Sequence, residues 1–421
     1  GRGVKTAAKD FKMSELGPIP KDWEVKRLGD LSSVITKGTT PTSIGCDYVN
    51  SGINFIKAES ITDEGLFLPE MFAHIDDETN HLLGRSQLVR GDYLFSIAGV
   101  LGRVACVPDD VLPANTNQAL AIIRLSSDND LDRRFIFYSL KAKPVEDYIS
   151  NVNVAAAQAN LSLENVADLP MVLPTLPEQR KIAVALSDVD EMIAALEKLI
   201  EKKRKIKTGA MQRLLTGKTR LPGFKGAWVE KRLGEMGSWG KGAGISRSEA
   251  QTGRLPAVRY GEIYTTHNDC IKKFESFISN EVARRSTRMK KGDIVFAGSG
   301  ETKEEIGKCA AFLGDEEAYA GGDLIILSPE SQYDSKFLGF VLNSSAVVAQ
   351  KSAAGQGDAV VHIRMESLAA VVVRIPPTLV EQKAIAKVLG DMDEEIAALE
   401  TELAKTRQLK QGMMQELLTG R

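Results

Sequence analysis

The sequence is short of cysteine, of histidine and of long apolar runs, and each shortage excludes something. Its 421 residues hold four cysteines, Cys46, Cys106, Cys270 and Cys309, and no CxxC pair. Four histidines are present, none at ligand spacing, so no structural zinc is expected. Cysteines this sparse fit a reducing cytoplasm. No stretch of about 18 apolar residues is found, so neither a membrane span nor a signal peptide is read. Net charge is only −2, which argues against a protein that coats nucleic acid without selectivity. It leaves local basic surfaces to be read segment by segment.

Catalytic strings are missing as well. No GxxxxGK[ST], GxSxG, HExxH or Cys/His pairing occurs, and no GxGxxG follows a strand pattern. The Asn/Asp-Pro-Pro-aromatic box of adenine methyltransferases is absent. Gly298–Cys309 (GSGETKEEIGKC) has the wrong spacing for a nucleotide cradle, and Leu215–Thr219 has no upstream glycine in register. Asp293 with Glu301 and Lys303 loosely resembles an acidic-x-Lys nuclease site for Mg²⁺. The matching Asp92 has no Glu-x-Lys after it, so a glycine-rich surface loop is the better reading.

What the chain does have is one long stretch written twice. Leu176–Lys218 and Leu379–Arg421 align without a gap at an offset of 203, with about 24 of 43 positions identical. Apolar residues fall at Ile182, Leu186, Val189, Ile193, Leu196 and Ile200, and again at Ile385, Leu389, Met392, Ile396, Leu399 and Leu403. Steps of four and three make a heptad seam, which a helix buries only against a partner. Pro174, Pro177, Pro376 and Pro377 stand upstream, and Gly217 and Gly420 stand at the far ends. Each copy predicts a rod of about 60 Å. The simplest arrangement packs one against the other on a pseudo-two-fold axis.

At 421 residues, 43% hydrophobic and 26% charged, the chain is ordinary for a soluble protein of two or three domains. The expected divisions are a polar lead (1–18), a first globular unit (19–175), the central helical spacer (176–222), a second unit (223–378) and the C-terminal helical spacer (379–421). In the first unit, strand-like runs fall at Ser33–Thr36, Asn54–Ile56, Tyr93–Ile97, Arg103–Val107 and Leu120–Leu125. Helical patterns follow at Leu131–Ala142 and Pro144–Ser150. Strands first and helices after predict an α+β fold with a mostly antiparallel sheet. The second unit repeats the plan. Trp228 matches Trp23, KGDIVFAG (Lys291–Gly298) matches RGDYLFSI (Arg90–Ile97), and YDSKFLGFVL (Tyr333–Leu342) matches LDRRFIFYSL (Leu131–Leu140). Between these landmarks the units diverge, as two like platforms would if they touched different things.

Loops with small residues and amide, hydroxyl or basic side chains suit contact with DNA. Backbone N–H groups reach phosphates there, and amides and guanidinium groups read base edges. The first unit offers Lys37, Thr39, Thr40, Lys57, Ser96, Arg103, Asn115, Thr116, Asn117 and Gln118. The second offers Lys241, Ser246, Arg247, Arg259, Tyr260, Ser299, Thr302, Lys303, Gln356 and His362. The basic run Lys202, Lys203, Arg204, Lys205 and Lys207 reads better as a solvated helix face balanced by Glu197 and Glu201.

These residues carry a family resemblance. LPEQRKIA…LTGK (Leu176–Lys218) and its C-terminal copy resemble the conserved regions of the specificity (S) subunit of type I restriction-modification systems. PKDWEVKRLGD, RGDYLFS, KGAGIS, AVRYGEIYT, GDIVFAGSGET and AGGDLIIL resemble its target recognition domains. The resemblance spans about Ile19 to Arg421 and implies a non-catalytic subunit. Each recognition domain would read one half of a bipartite, asymmetric DNA site, and the antiparallel helices would set the gap. Two methyltransferase (M) subunits would dock on it and bring S-adenosylmethionine; restriction (R) subunits would add ATP-driven cleavage, with Mg. No cofactor is expected in this chain. The competing reading is a coiled-coil scaffold that binds proteins without DNA specificity.

Overall fold

A computed structural model of the protein describes residues 10–127, 131–153, 160–357 and 360–420. Two compact units divide it: Gly1–Leu196 with Glu402–Arg421, and Glu197–Thr401. The α+β expectation holds in both. Residues 1–9 of the expected lead lie outside the described residues. From Phe11 the chain is already structured, with strands Phe11–Ser14 and Gly17–Pro20 paired around Gly17, whose φ of +94° suits a residue without Cβ.

The first unit is built on a four-stranded antiparallel sheet in the order Ser32–Lys37, Leu120–Leu125, Tyr93–Ser96, Val104–Cys106. Its core joins Tyr93, Phe95, Ile123 and Phe135. A smaller sheet places Ile53–Ile56 between Ala73–Ile75 and Ala114–Thr116, the latter pairing parallel. The second unit repeats this with Gly237–Lys241, Leu324–Pro329, Ile294–Ala297 and Cys309–Phe312, extended by Cys270–Ile271. There, Leu255–Val258 pairs parallel with Tyr319–Ala320. The RGD and KGD motifs explain themselves. Asp92 and Asp293 are buried acceptors that close a turn onto the Val89 and Lys290 amides. Asp92 also takes both arms of Arg124, and Asp293 the Ser328 hydroxyl. Asp293 is thus spent on structure.

Both long stretches are helices, Leu176–Leu214 and Leu379–Leu417. Pro177 falls inside the first turn rather than upstream, at a position whose N–H has no helical partner to lose. Within the first unit the start of the first helix (Ile182, Leu186) packs with the end of the second (Met413, Met414, Leu417). Within the second unit Leu214 and Met211 pack with Ile385 and Leu389 in the same antiparallel sense. Of the expected seam residues, Ile182, Leu186, Leu196, Ile200, Ile385, Leu389 and Ile396 are buried. Val189, Ile193, Met392, Leu399 and Leu403 are half-buried. Each helix is pinned to its unit by a buried glutamine. Gln179 accepts from the Asp132 amide at 3.0 Å, and Gln382 from the Asp334 amide at 2.9 Å.

The seam continues beyond its apolar run into lysines. Lys410 reaches Asp190 at 2.6 Å and lies over the Tyr138 ring, whose hydroxyl also donates to Asp190. Lys207 reaches Asp393 at 2.6 Å and lies over Phe340. The basic run is therefore not balanced only along its own helix. Lys205 pairs with Glu201, but Lys203 pairs with Glu395 and Arg204 with Glu400 on the other helix.

One buried group in the second unit makes its stability depend on pH. His267 is 1% exposed, and neither ring nitrogen has a hydrogen-bond partner among the described residues. Burial pushes its pKa down to about 4. The unfolded chain takes a proton near the ordinary value of 6.5, and the folded chain does not until about 4. This contribution is complete above pH 6.5 and is lost as pH falls toward 4. At pH 5 the loss is about 2 kcal/mol. Melting at pH 7 and pH 5 should show that gap, and His267→Leu should narrow it by a similar amount; an unchanged gap would refute the assignment.

Candidate nucleic-acid interface

Three loops meet at the end of the sheet in the first unit. Lys37 closes the strand Ser32–Lys37, opposite Ala121. Gly38 follows and donates its N–H to the Asn117 carbonyl at 3.2 Å. A Cβ on Gly38 would sit 1.7 Å from the Thr116 carbonyl oxygen, so only glycine allows this approach. Thr40 Oγ1 donates to Gln118 Oε1 at 2.5 Å. The half-buried Asn117 turns its carboxamide onto the Ala119 amide. Lys57 directly follows the strand Ile53–Ile56, whose last residue Ile56 pairs with Thr116 in the parallel ladder, and its ammonium lies 4.8 Å from the centre of the Tyr48 ring. Lys37, Thr39, Thr40, Lys57, Asn117 and Gln118 thus gather around one turn, presenting two cations and a set of amides and hydroxyls.

The second unit builds the same junction from other residues. Lys241–Gly242 stands where Lys37–Gly38 stands, and a Cβ on Gly242 would meet the Gly321 carbonyl oxygen at 1.9 Å. Gly322 N–H donates to the Gly244 carbonyl, and Gly321 N–H to Val258. Arg259 follows Val258 as Lys57 follows Ile56. Ser246 spends its hydroxyl and amide on Glu249, while Arg247 and Tyr260 are exposed. In place of Asn117–Gln118 the turn here is Gly322–Asp323, with Asp323 at φ +59°.

Of the other expected residues, Ser96, Asn115, Thr116 and Ser299 drop out as direct contacts because they are buried. Ser96 donates to the Val100 carbonyl and accepts from the Arg103 amide, closing a hairpin. Asn115 uses all its capacity on Ser86, Thr116, Asn80 and Leu83. Thr116 donates to the Ile56 carbonyl. These residues brace the loops that carry the exposed ones. Arg103 is neutralised by Asp63 at 2.6 Å. In the second unit the buried Ser299 meets His362 Nδ1 at 2.9 Å, and Gln356 bridges to His362 through the backbone. Thr302 and Lys303 are exposed on the neighbouring loop, beside a hollow of about 290 Å³.

Sequence reasoning missed Tyr48, Glu262 and Ser276. Glu262 lies three residues after Arg259, one helical turn on, and that spacing was readable. Ser276 reaches the same place from a distant strand and leaves no local signal. Among the described residues no group of three or more metal-ligating side chains occurs, and no helix is long and apolar enough to cross a membrane.

Two blocks of the chain match a single family model, the type I restriction modification DNA specificity domain, at residues 20–208 and again at 225–410. The chain belongs to that family. It is a specificity component, concerned with DNA recognition and not itself an enzyme. A Methanocaldococcus jannaschii chain provisionally named the MjaX type I restriction enzyme specificity subunit is 27% identical over 435 residues, covering 98% of this chain and 96% of that one. The MjaVIII specificity subunit of the same organism is 26% identical over 434 residues, covering 96% and 93%. Among solved structures, one from a study of assembly and conformational transition in the type I R-M system has a TM-score of 0.60 at 18% identity, covering 96% of this chain and 99% of its own. The S subunit from M. genitalium gives 0.59 at 15% identity, covering 98% and 99%. At such identities the solved structures speak for the fold of the specificity subunit and nothing finer.

Proposed function

We propose that the two units are target recognition domains, each reading one half of a bipartite, asymmetric DNA site. The observation that carries this is a shared platform with unlike contents. Lys37–Gly38 and Lys241–Gly242 make the same close approach, yet the adjoining turns are Asn117–Gln118 in one unit and Gly322–Asp323 in the other. Cations at matching places suit phosphates, which position the protein; unlike amide, hydroxyl and guanidinium groups suit unlike bases. In this reading the domain divisions at 19–175, 176–222, 223–378 and 379–421 are functional ones. The paired helices set the spacer between half-sites, about one turn of DNA or of order 34 Å for heads on one face. The duplicated frame docks two methyltransferase subunits, and through them restriction subunits, in the cytoplasm. S-adenosylmethionine, ATP and Mg belong to those partners.

The test is to map methylated adenines in DNA from cells that carry this chain with its methylase. A defined two-part sequence is expected, and methylation without one would refute the reading. Exchanging residues 223–378 for those of a relative should then change one half-site and leave the other intact. A change in both halves would contradict independent reading heads.

A further inference from the structure

Arg259 differs from every other cation at the two junctions in being held by a buried carboxylate. Its Nε donates to Glu262 Oε1 at 3.0 Å and to the Ser276 hydroxyl at 3.1 Å. Ser276 in turn donates to the same Glu262 oxygen. Glu262 is 5% exposed and Ser276 1%, while the Arg259 side chain is 31% exposed. The stem of Arg259 runs past Gly321, where an added Cβ would come within 3.6 Å of its Cγ. Both terminal nitrogens, Nη1 and Nη2, are without a partner among the described residues. The matching residue in the first unit, Lys57, lies over Tyr48, with no carboxylate partner among the described residues.

Two kinds of DNA contact call for different cations. A phosphate rewards charge, and its grip weakens in proportion to the charge taken away. A buried carboxylate at 3.0 Å cancels much of the arginine's charge at a distance, so this side chain is a poor phosphate anchor. Its directional donors survive. With Nε committed, Nη1 and Nη2 remain as a planar fork of fixed orientation, and such a fork matches the O6 and N7 acceptors of guanine in the major groove. We infer that Arg259 reads a guanine in the half-site of the second unit and that Glu262 and Ser276 are the positioning residues that hold its fork. Lys241 and Arg247, exposed and without carboxylate partners among the described residues, are left for phosphates.

This rests on the proposed function, and the experiment separates the two. The methyltransferase complex containing this chain is used throughout, with its site defined by methylation mapping and the second-unit half assigned by the 223–378 exchange. If no defined site emerges, the proposed function fails and takes this inference with it. If a site emerges whose second-unit half lacks a G·C pair, only this inference fails. Each base pair of that half is then varied with wild-type and Arg259→Lys complexes. Lysine keeps the charge and loses the fork. Preference for G·C should fall roughly tenfold to a hundredfold at one position and hold at the rest. Unchanged preference everywhere, or a uniform loss across all sequences, would overturn the inference.

Glu262→Gln supplies a readout that a purely structural role would not move. It is nearly isosteric and leaves Arg259 uncompensated. Affinity for unrelated DNA should rise, and the log–log salt dependence should steepen by about one. An unchanged salt dependence in a variant that melts like wild type would likewise overturn the inference.

Discussion

Replacing Arg220 with alanine is expected to cost the second unit about 3–5 kcal/mol, a large fraction of the roughly 5–15 kcal/mol that holds a domain folded. Glu381, at the start of the second long helix, is 1% exposed. Arg220 holds both its oxygens, Nε to Oε1 at 2.5 Å and Nη2 to Oε2 at 2.6 Å. Without the guanidinium a buried carboxylate has no counter-charge, and desolvation that the pair shared falls on one ion. The double variant Arg220→Leu/Glu381→Leu removes both charges and should recover most of the loss, since apolar packing often replaces a buried pair at little cost. Trp228 and Trp239 report on this unit and Trp23 on the other, so tryptophan variants can assign the transition in urea. A midpoint shift worth under about 1 kcal/mol would mean that Glu381 is not held as a buried ion.

Alanine at Gly38 is expected to lower methylation of the first unit's half-site by at least about tenfold while leaving the second half-site's base preferences intact. The added carbon would overlap the Thr116 carbonyl, a backbone atom that cannot step aside as a flexible side chain can. The loop carrying Lys37, Thr39 and Thr40 must then part from the turn that carries Asn117 and Gln118. Gly242→Ala should do the reverse, acting on the second half-site only. Gly84→Ala is the control, because nothing lies within 4 Å of its added carbon and the residue is exposed. Equal effects of Gly38→Ala and Gly84→Ala would show that the close approach does not matter to reading.

The elements that could be read from sequence were those written locally or written twice. The long helices were legible because Ile182 to Ile200 and Ile385 to Leu403 keep one heptad phase with no proline inside. The main-sheet strands were legible from short apolar runs between turn residues, as at Tyr93–Ser96 and Leu120–Leu125. Helix ends were legible only to within a few residues: the pattern over Leu131–Ala142 is a helix at Arg133–Ser139, capped by the Asp132 side chain. Partners across the chain were not legible. Arg220 meets Glu381 from 161 residues away, and at the matching spot in the first unit Glu178 accepts from the Trp23 indole N–H across 155 residues. Loop polarity alone could not separate Asn117 from Asn115, since facing outward or inward depends on how the smaller sheet pairs. Burial removed Ser96, Asn115, Thr116 and Ser299 from the contact set and gave them the work of bracing it.

The lysine joints bear on which recognition domains can be traded between relatives. Lys410 with Asp190, and Lys207 with Asp393, belong to the repeated helices, but the ring beneath each lysine comes from the globular part, Tyr138 in one unit and Phe340 in the other. A transplanted domain would therefore have to arrive with a flat aromatic at that single position, whatever its loops say to DNA. Compatibility of a graft would be decided at its root, far in sequence from the residues that give it a new target.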